Sequence, residues 1–192
     1  MSTQAKTKRD KKEVKKESKR IPSKEEALKI LRSQGADDHV IVHCKSVSAL
    51  AFNIAKRIKR PVDLDLVQVG GLLHDIGRSN THDIEHAVEG AKIAKKIGLP
   101  DEIIKIIERH IGAGLTKKEA IRLGLPDRDF IPETLEEKIV AHADNLIAGT
   151  KKVPVAQTIS GLVRKQEMEG AKRVLALHKE LSELCGFDLD LL

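Results

Sequence analysis

The chain has 192 residues, enough for one domain with a full core, and holds three Phe but no Trp or Tyr, so that core must be built from Ile, Leu, Val and Ala. Its formal charge of +6 sits at one end: residues 1–20 carry nine Lys/Arg against three acids, and the other 172 residues carry 26 of each sign. No run approaches the roughly 18 to 20 apolar residues of a spanning helix, and Cys44 and Cys185 are too few for a disulfide scaffold, which excludes a membrane protein and a stapled secreted domain and sets the cytoplasm as the expected location.

Residues 1–20 read as a basic flexible tail, either a solubilising extension or an arm that touches nucleic acid. Ser23-Lys24-Glu25-Glu26 is then a capping box, opening a helix that Gly35 closes. A second helix is expected from about Asp38 to Arg60, stopped by Pro61. Asp63 opens a third, apolar helix that runs into the His74-Asp75 pair. A polar link, Arg78 to His82, leads to a fourth helix from about Asp83 to Ile97. Pro100 and Asp101 start a fifth that reaches His110. Thr116-Lys117-Lys118-Glu119 caps a short sixth, and Thr134-Leu135-Glu136-Glu137 reads as a third capping box for the helix carrying Asp144. From Val155 to Leu184 the pattern gives one long or two shorter helices, with Gly161 and Gly170 as weak points. The stretch from Gly112 to Pro132 is the longest insertion, fit for a lid or a wall. Apolar residues recur at helical spacing throughout and β-type alternation is missing, so the fold class is all-α.

Helical phase turns scattered polar residues into a constellation. His43 shares a stripe with Val47, Leu50 and Ile54, and His86 shares one with Gly90, Ile93 and Ile97. His110 follows Ile103, Ile106 and Ile107, and Asp144 is flanked by Val140, Ala141, Ile147 and Ala148. With His74 and Asp75, six polar residues on five helices point inward. Singly, a histidine on an apolar face is a satisfied core residue and a buried Asp is a helix cap. Six together would each need a separate partner in a core poor in polar groups, because an unpartnered buried charge is costly. Imidazole and carboxylate without thiolate suit Fe, Mn, Zn, Ni or Co, with Mg possible.

The order His43, His74-Asp75, His86, His110, Asp144 resembles the HD superfamily of metal-dependent phosphohydrolases. His74-Asp75-Ile76-Gly77 is the form of its HDIG group, and the strings GLLHDIGR, HAVEGAKIA and HADNL fall where that pattern places them. The resemblance covers about Ile41 to Gly149 and is similar to a small archaeal branch of the superfamily. It implies a bundle of five or more helices around a metal site within residues 21–150, with residues 151–192 as a helical extension packed on the same domain. It also implies that His43, His74, Asp75 and Asp144 hold a first divalent ion. His86 and His110 match the extra ligands of two-ion members, such as the bacterial diadenosine tetraphosphate hydrolases, with Asp75 bridging.

The activity so implied is cleavage of a phosphate ester or anhydride in a small-molecule substrate, most simply a nucleotide, by attack of a metal-bound hydroxide. Asp75 and Arg78 are then the catalytic pair, Arg78 holding phosphate or else serving as a helix-end surface residue. His82 could protonate a leaving oxygen or merely cap a helix. Lys117 and Lys118 could add positive potential or form a solvated face. Ile111 follows His110 where cyclic-nucleotide and cyclic-dinucleotide phosphodiesterases of the superfamily commonly place a second His, a departure that argues against those activities. The alternative is a nucleotide-sensing or RNA-associated module without hydrolysis.

Overall fold

The structure is a computed structural model that describes residues 20–192; apart from Arg20, the basic tail lies outside the described residues. The elements are α1 (Lys24–Ser33), α2 (Asp38–Ala55), α3 (Leu64–Leu73), α4 (His86–Lys96), α5 (Asp101–Arg109), α6 (Lys117–Arg122), α7 (Leu135–Asn145), a hairpin of β1 (Ile147–Ala148) and β2 (Lys151–Lys152), α8 (Val155–Arg164) and α9 (Met168–Cys185). Short 3-10 turns at Ile76–Ser79 and Leu189–Leu191 complete the set. The protein is an α-helical bundle, as the periodicity requires.

Helix α2 is the axis of the bundle. Its Val40, Ile41, Cys44, Val47, Leu50, Ala51 and Ile54 join one continuous core with α3, α5, α7 and α9, to which Leu73, Ile106, Ile107, Ile139, Val174 and Leu181 contribute. Each fully buried Leu or Ile of this kind stabilises the fold by about 1.5–3 kcal/mol. The insertion after His110 builds a second, small core: Ala120, Leu125 and Phe130 close on Val88 of α4. A backbone bridge between Leu115 and Phe130 pins it, so the insertion is a wall resting on α4.

Several boundaries differ from the sequence expectation. Helix α2 ends at Ala55, not Arg60, because its last turn tightens through Arg57 N–H to Ile54 O and Ile58 N–H to Ala55 O. Helix α4 begins at His86 and not Asp83, residues 83–85 being spent on a turn that returns His86 N–H to Asp83 O. The C-terminal region is two helices, and it breaks at neither Gly161 nor Gly170. Gln166 adopts φ 62°, while Gln166 N–H bonds Val163 O and Glu167 N–H bonds Leu162 O. That is a Schellman cap with Gln where Gly is usual, which hides it from a reading based on glycine. The boxes at Ser23 and Thr116 close in both directions, but at Thr134 only half forms. There Glu137 accepts from Glu133 N–H and from Arg109 Nη1 instead.

The hairpin was not expected. Its register pairs Ile147 with Lys152 and Ala148 with Lys151, leaving Gly149-Thr150 as a two-residue loop. Gly149 at φ 62° supplies the positive dihedral that primed hairpin turns need.

Candidate metal centre

Three helices end at one point. His74 is the C-cap of α3, His110 is the C-cap of α5, and Asp144 is the penultimate residue of α7. A helix C-terminus carries roughly half a negative charge and exposed carbonyls, so three of them together favour a cation before any side chain is considered. Those carbonyls also orient the rings. The Nδ1–H of His74 donates to Gly71 O at 2.8 Å, and that of His110 to Ile107 O at 2.7 Å. His86, at the start of α4, donates in the same way to Asp83 O at 2.6 Å. His43, in the second turn of α2, donates to Gly149 O at 2.8 Å, which gives the short hairpin its role. A carbonyl can only accept, so all four rings carry hydrogen on Nδ1 and turn Nε2 inward. Metal-binding histidines are held by this kind of outer hydrogen bond.

All six expected residues meet at this point, and Asp75 lies between two groups of nitrogens. Its Oδ1 is 3.2 Å from His86 Nε2 and 3.4 Å from His110 Nε2. Its Oδ2 is 3.6 Å from His74 Nε2 and 3.8 Å from His43 Nε2. Asp144 Oδ1 completes the second group, 3.0 Å from His43 Nε2 and 3.6 Å from His74 Nε2. Clusters of three donor atoms within 4.8 Å of one another occur on both sides of Asp75.

Three observations test whether a metal fits this set. First, the Nε2 atoms of His86 and His110 are 3.1 Å apart. In neutral rings both would present lone pairs, an arrangement that repels unless a cation or proton stands between them. Second, His74 Nε2 and Asp75 Oδ1 are sealed from solvent without a hydrogen bond. Third, the donors are nitrogen and oxygen alone, the set that suits a first-row divalent ion. The residues fit a metal, and the two oxygens of Asp75 face separate donor groups.

The electrostatics of the site follow the same crowding. Burial opposes charge on His74, but the Asp75 carboxylate outweighs it and raises His74 well above the usual imidazole range. Burial likewise opposes ionisation of Asp75, yet the charge of His74 and the close approach of His110 and His86 hold it well below the usual carboxylate range. Asp144 is lowered too, because the bond from His43 and the charge of His74 overcome its burial. Burial dominates at His110 and lowers it.

A ligating imidazole must be neutral, so a metal entering this site displaces the proton that His74 holds. Below the raised pKa, each displaced proton makes affinity rise tenfold per pH unit. Calorimetric titration with Mn²⁺ is expected to show proton release of one or more per chain and an apparent Kd at least about tenfold tighter at pH 7 than at pH 6. Affinity independent of pH over that interval would contradict the charge arrangement.

Access is from one side. His74, Asp75, His86 and His110 are buried, whereas His43 and Asp144 keep 19% and 25% of their side-chain surface open. Arg78 lies at the same mouth, 30% exposed, with Nε on Asp75 Oδ2 at 2.6 Å and Nη1 on His82 O at 3.2 Å. Lys117 pairs with Asp127 on the insertion.

Sequence reading missed three supports. One is the Gly149 carbonyl. The second is Asn145, which donates to Gly112 O at 2.8 Å and so ties the Asp144 helix to the loop after His110. The third is Arg109, which joins α5 to Glu137 of α7 at 2.9 Å. A separate histidine pair also went unnoticed. His142 Nε2 lies 3.0 Å from His178 Nδ1, and His178 Nε2 lies 2.9 Å from Asp188 Oδ1. Burial pushes His142 down to about 3, so it is neutral and the chain ties α9 and the C-terminal turn to α7.

Fold and site together define a mostly helical domain that brings four histidines and two aspartates from five helices together at a candidate cation site. The family profile described as HD domain matches residues 40–149, and the chain belongs to this family. A tRNA (cytidine(56)-2'-O)-methyltransferase of Picrophilus torridus is 48% identical over 170 residues, covering 88% of this chain and 49% of that protein. An uncharacterized protein of Methanocaldococcus jannaschii, MJ0778, is 49% identical over 165 residues, covering 83% of this chain and 97% of its own length. The chain thus spans about half the length of the methyltransferase-named relatives it matches. Among solved structures, the HD domain of the L. monocytogenes phosphodiesterase PgpH in complex with cyclic-di-AMP superposes with a TM-score of 0.53 at 21% identity, covering 84% of this chain and 94% of that one. This likeness supports the fold. Among the described residues no helix is long and apolar enough to cross a membrane.

Proposed function

We propose that the chain is a metal-dependent phosphohydrolase that cleaves a phosphate ester of a nucleotide, using two divalent ions. One would be held by His43, His74 and Asp144, the other by His86 and His110, with Asp75 shared. The observation that carries the reading is the division of four inward Nε2 atoms between the two oxygens of Asp75. The phosphodiesterase name of the structural relative agrees with a phosphate ester as substrate.

Ions bound there supply Lewis-acid charge to a phosphoryl group and make water a stronger nucleophile near neutral pH. The protein's own groups do the rest. The carbonyl-anchored rings keep the donors fixed, and burial of His74, Asp75, His86 and His110 excludes bulk water behind them. Arg78 commits two of its five N–H donors, to Asp75 and to His82 O, which leaves three to hold a phosphate at the open mouth. The bond to Asp75 also sets the angle of the shared carboxylate. His82 takes a positioning role here, through its carbonyl.

Elemental analysis tests the reading. Wild-type protein is expected to bind about two transition-metal ions per chain, and His110→Ala about one. Hydrolysis of bis(p-nitrophenyl) phosphate, followed by a nucleotide screen, should track the two-ion form. One ion in the wild type, unchanged by the substitution, overturns it. The methyltransferase-named relatives favour a second reading, in which the module serves RNA modification by sensing a nucleotide without cleaving it. Two bound ions with no turnover on any phosphate ester would select that reading.

A further inference from the structure

Between Asp38 and Asp63 the sequence has five basic residues, Lys45, Lys56, Arg57, Lys59 and Arg60, and no acid. All five are exposed, and none has a carboxylate partner among the described residues. Lys24 of α1 joins them. It and Lys56 approach one ring, that of Phe52, with ammonium nitrogens 5.8 Å and 5.5 Å from the centroid. Glu25, Asp63 and Asp65 line a cavity with Lys24 on the side away from Lys56, and Glu26 is paired with Arg20.

Phe52 differs from the other two phenylalanines. Phe130 fills the small core and Phe187 packs on the main one, but Phe52, partly buried, belongs to neither. A ring outside both core clusters, approached by two ammonium groups of different helices, offers an aromatic face among cations. Single-stranded nucleic acid requires this pairing: cations for the backbone and an aromatic face for a base. A membrane-lying helix would need several large apolar side chains on the same face. The neighbours of Phe52 on the outer side of α2 are Ala49 and Asn53.

We propose that the outer face of α2 around Phe52, with Lys24, Lys45 and Lys56, and continuing into the turn that carries Arg57, Lys59 and Arg60, is a docking surface for a single-stranded polynucleotide, separate from the metal centre. Phe52 is nine residues beyond His43, about 13 Å along the helix and on its opposite face. The surface therefore acts as an exosite. In sequence, residues 1–20, with nine Lys/Arg against three acids, precede Lys24. The proposal does not depend on hydrolysis, since a sensing module could use the surface equally.

The test is fluorescence anisotropy on the full chain, with a labelled 12-nucleotide oligouridylate and its deoxyuridylate counterpart. Five to six backbone contacts predict roughly 100-fold weaker binding at 200 mM than at 50 mM salt. Phe52→Leu is expected to weaken binding about fivefold or more, and the double change Lys24→Ala with Lys56→Ala about tenfold. Metal content and thermal midpoint should stay at wild-type values in both, since neither touches the core or the ligands. Asp75→Asn should bind like wild type, which separates this surface from the catalytic reading. A preference for RNA over DNA would add ribose recognition, and equal binding would assign the contact to base and phosphate. Wild-type affinity in both variants, or tighter binding to phosphatidylserine vesicles than to either oligonucleotide, overturns the proposal.

Discussion

Asp75→Asn is expected to abolish phosphate-ester hydrolysis, with a fall of at least about 10³-fold, and to leave less than one tightly bound ion per chain. Loss of an outer-shell partner at a metal site already costs 10–100-fold, and Asp75 is the residue whose two oxygens serve both donor groups. The amide keeps the shape and can still accept from Arg78, but it offers no charge to the ions. Folding should survive. With the carboxylate gone, His74 loses the largest interaction that raises it, and burial pulls it back toward the neutral imidazole. Melting in chelator, where wild type and variant are both ion-free, separates lost chemistry from lost structure. Full hydrolysis with two ions bound in Asp75→Asn would eliminate Asp75 as the shared ligand.

The residues that meet at this point were visible in the sequence because helical phase is a strong signal. Each of His43, His86, His110 and Asp144 shares a stripe with Ile, Val, Leu or Ala, and an inward polar residue on such a stripe stands out. Their supports were not visible. The ring of His43 is fixed by a carbonyl 106 positions away, on a two-residue hairpin. A hydrogen bond to backbone leaves no side-chain signature at the accepting position. The Schellman turn at Gln166 escaped for a related reason: backbone closure and not a glycine makes the break. Arg109, Glu137 and Asn145 look like ordinary surface residues until the loop after His110 folds back against α7. Long-range contacts of polar residues have no period, so a periodic reading passes over them. Phe52 was overlooked as one apolar residue among many on α2.

Gly77, fourth residue of the HDIG string, shows how closely packing and chemistry are joined. A Cβ placed there would lie 1.9 Å from His86 O and 2.5 Å from Gly90 N, both backbone atoms at the start of α4. Neither can move without the helix, so Gly77→Ala must push α4 away from the 3-10 turn that carries Ile76–Ser79. His86 would go with it and lose its 3.2 Å approach to Asp75 Oδ1. Gly70→Ala is the matched control, because its Cβ would meet Ile106 Cδ1 at 2.7 Å, a side-chain end that can rotate aside. Overpacking of a well-filled core costs about 1–3 kcal/mol, and a clash with backbone belongs at the upper end. For a chain of this size that is a fall in Tm of roughly 6–12 °C. Gly77→Ala should therefore combine that loss with a drop in metal content toward one ion, the His86–His110 side emptying first, while Gly70→Ala keeps both ions and melts within a few degrees of wild type. A Gly77→Ala protein with wild-type Tm and two ions would mean that α4 tolerates displacement, and the contact at Gly77 would then not be what places His86.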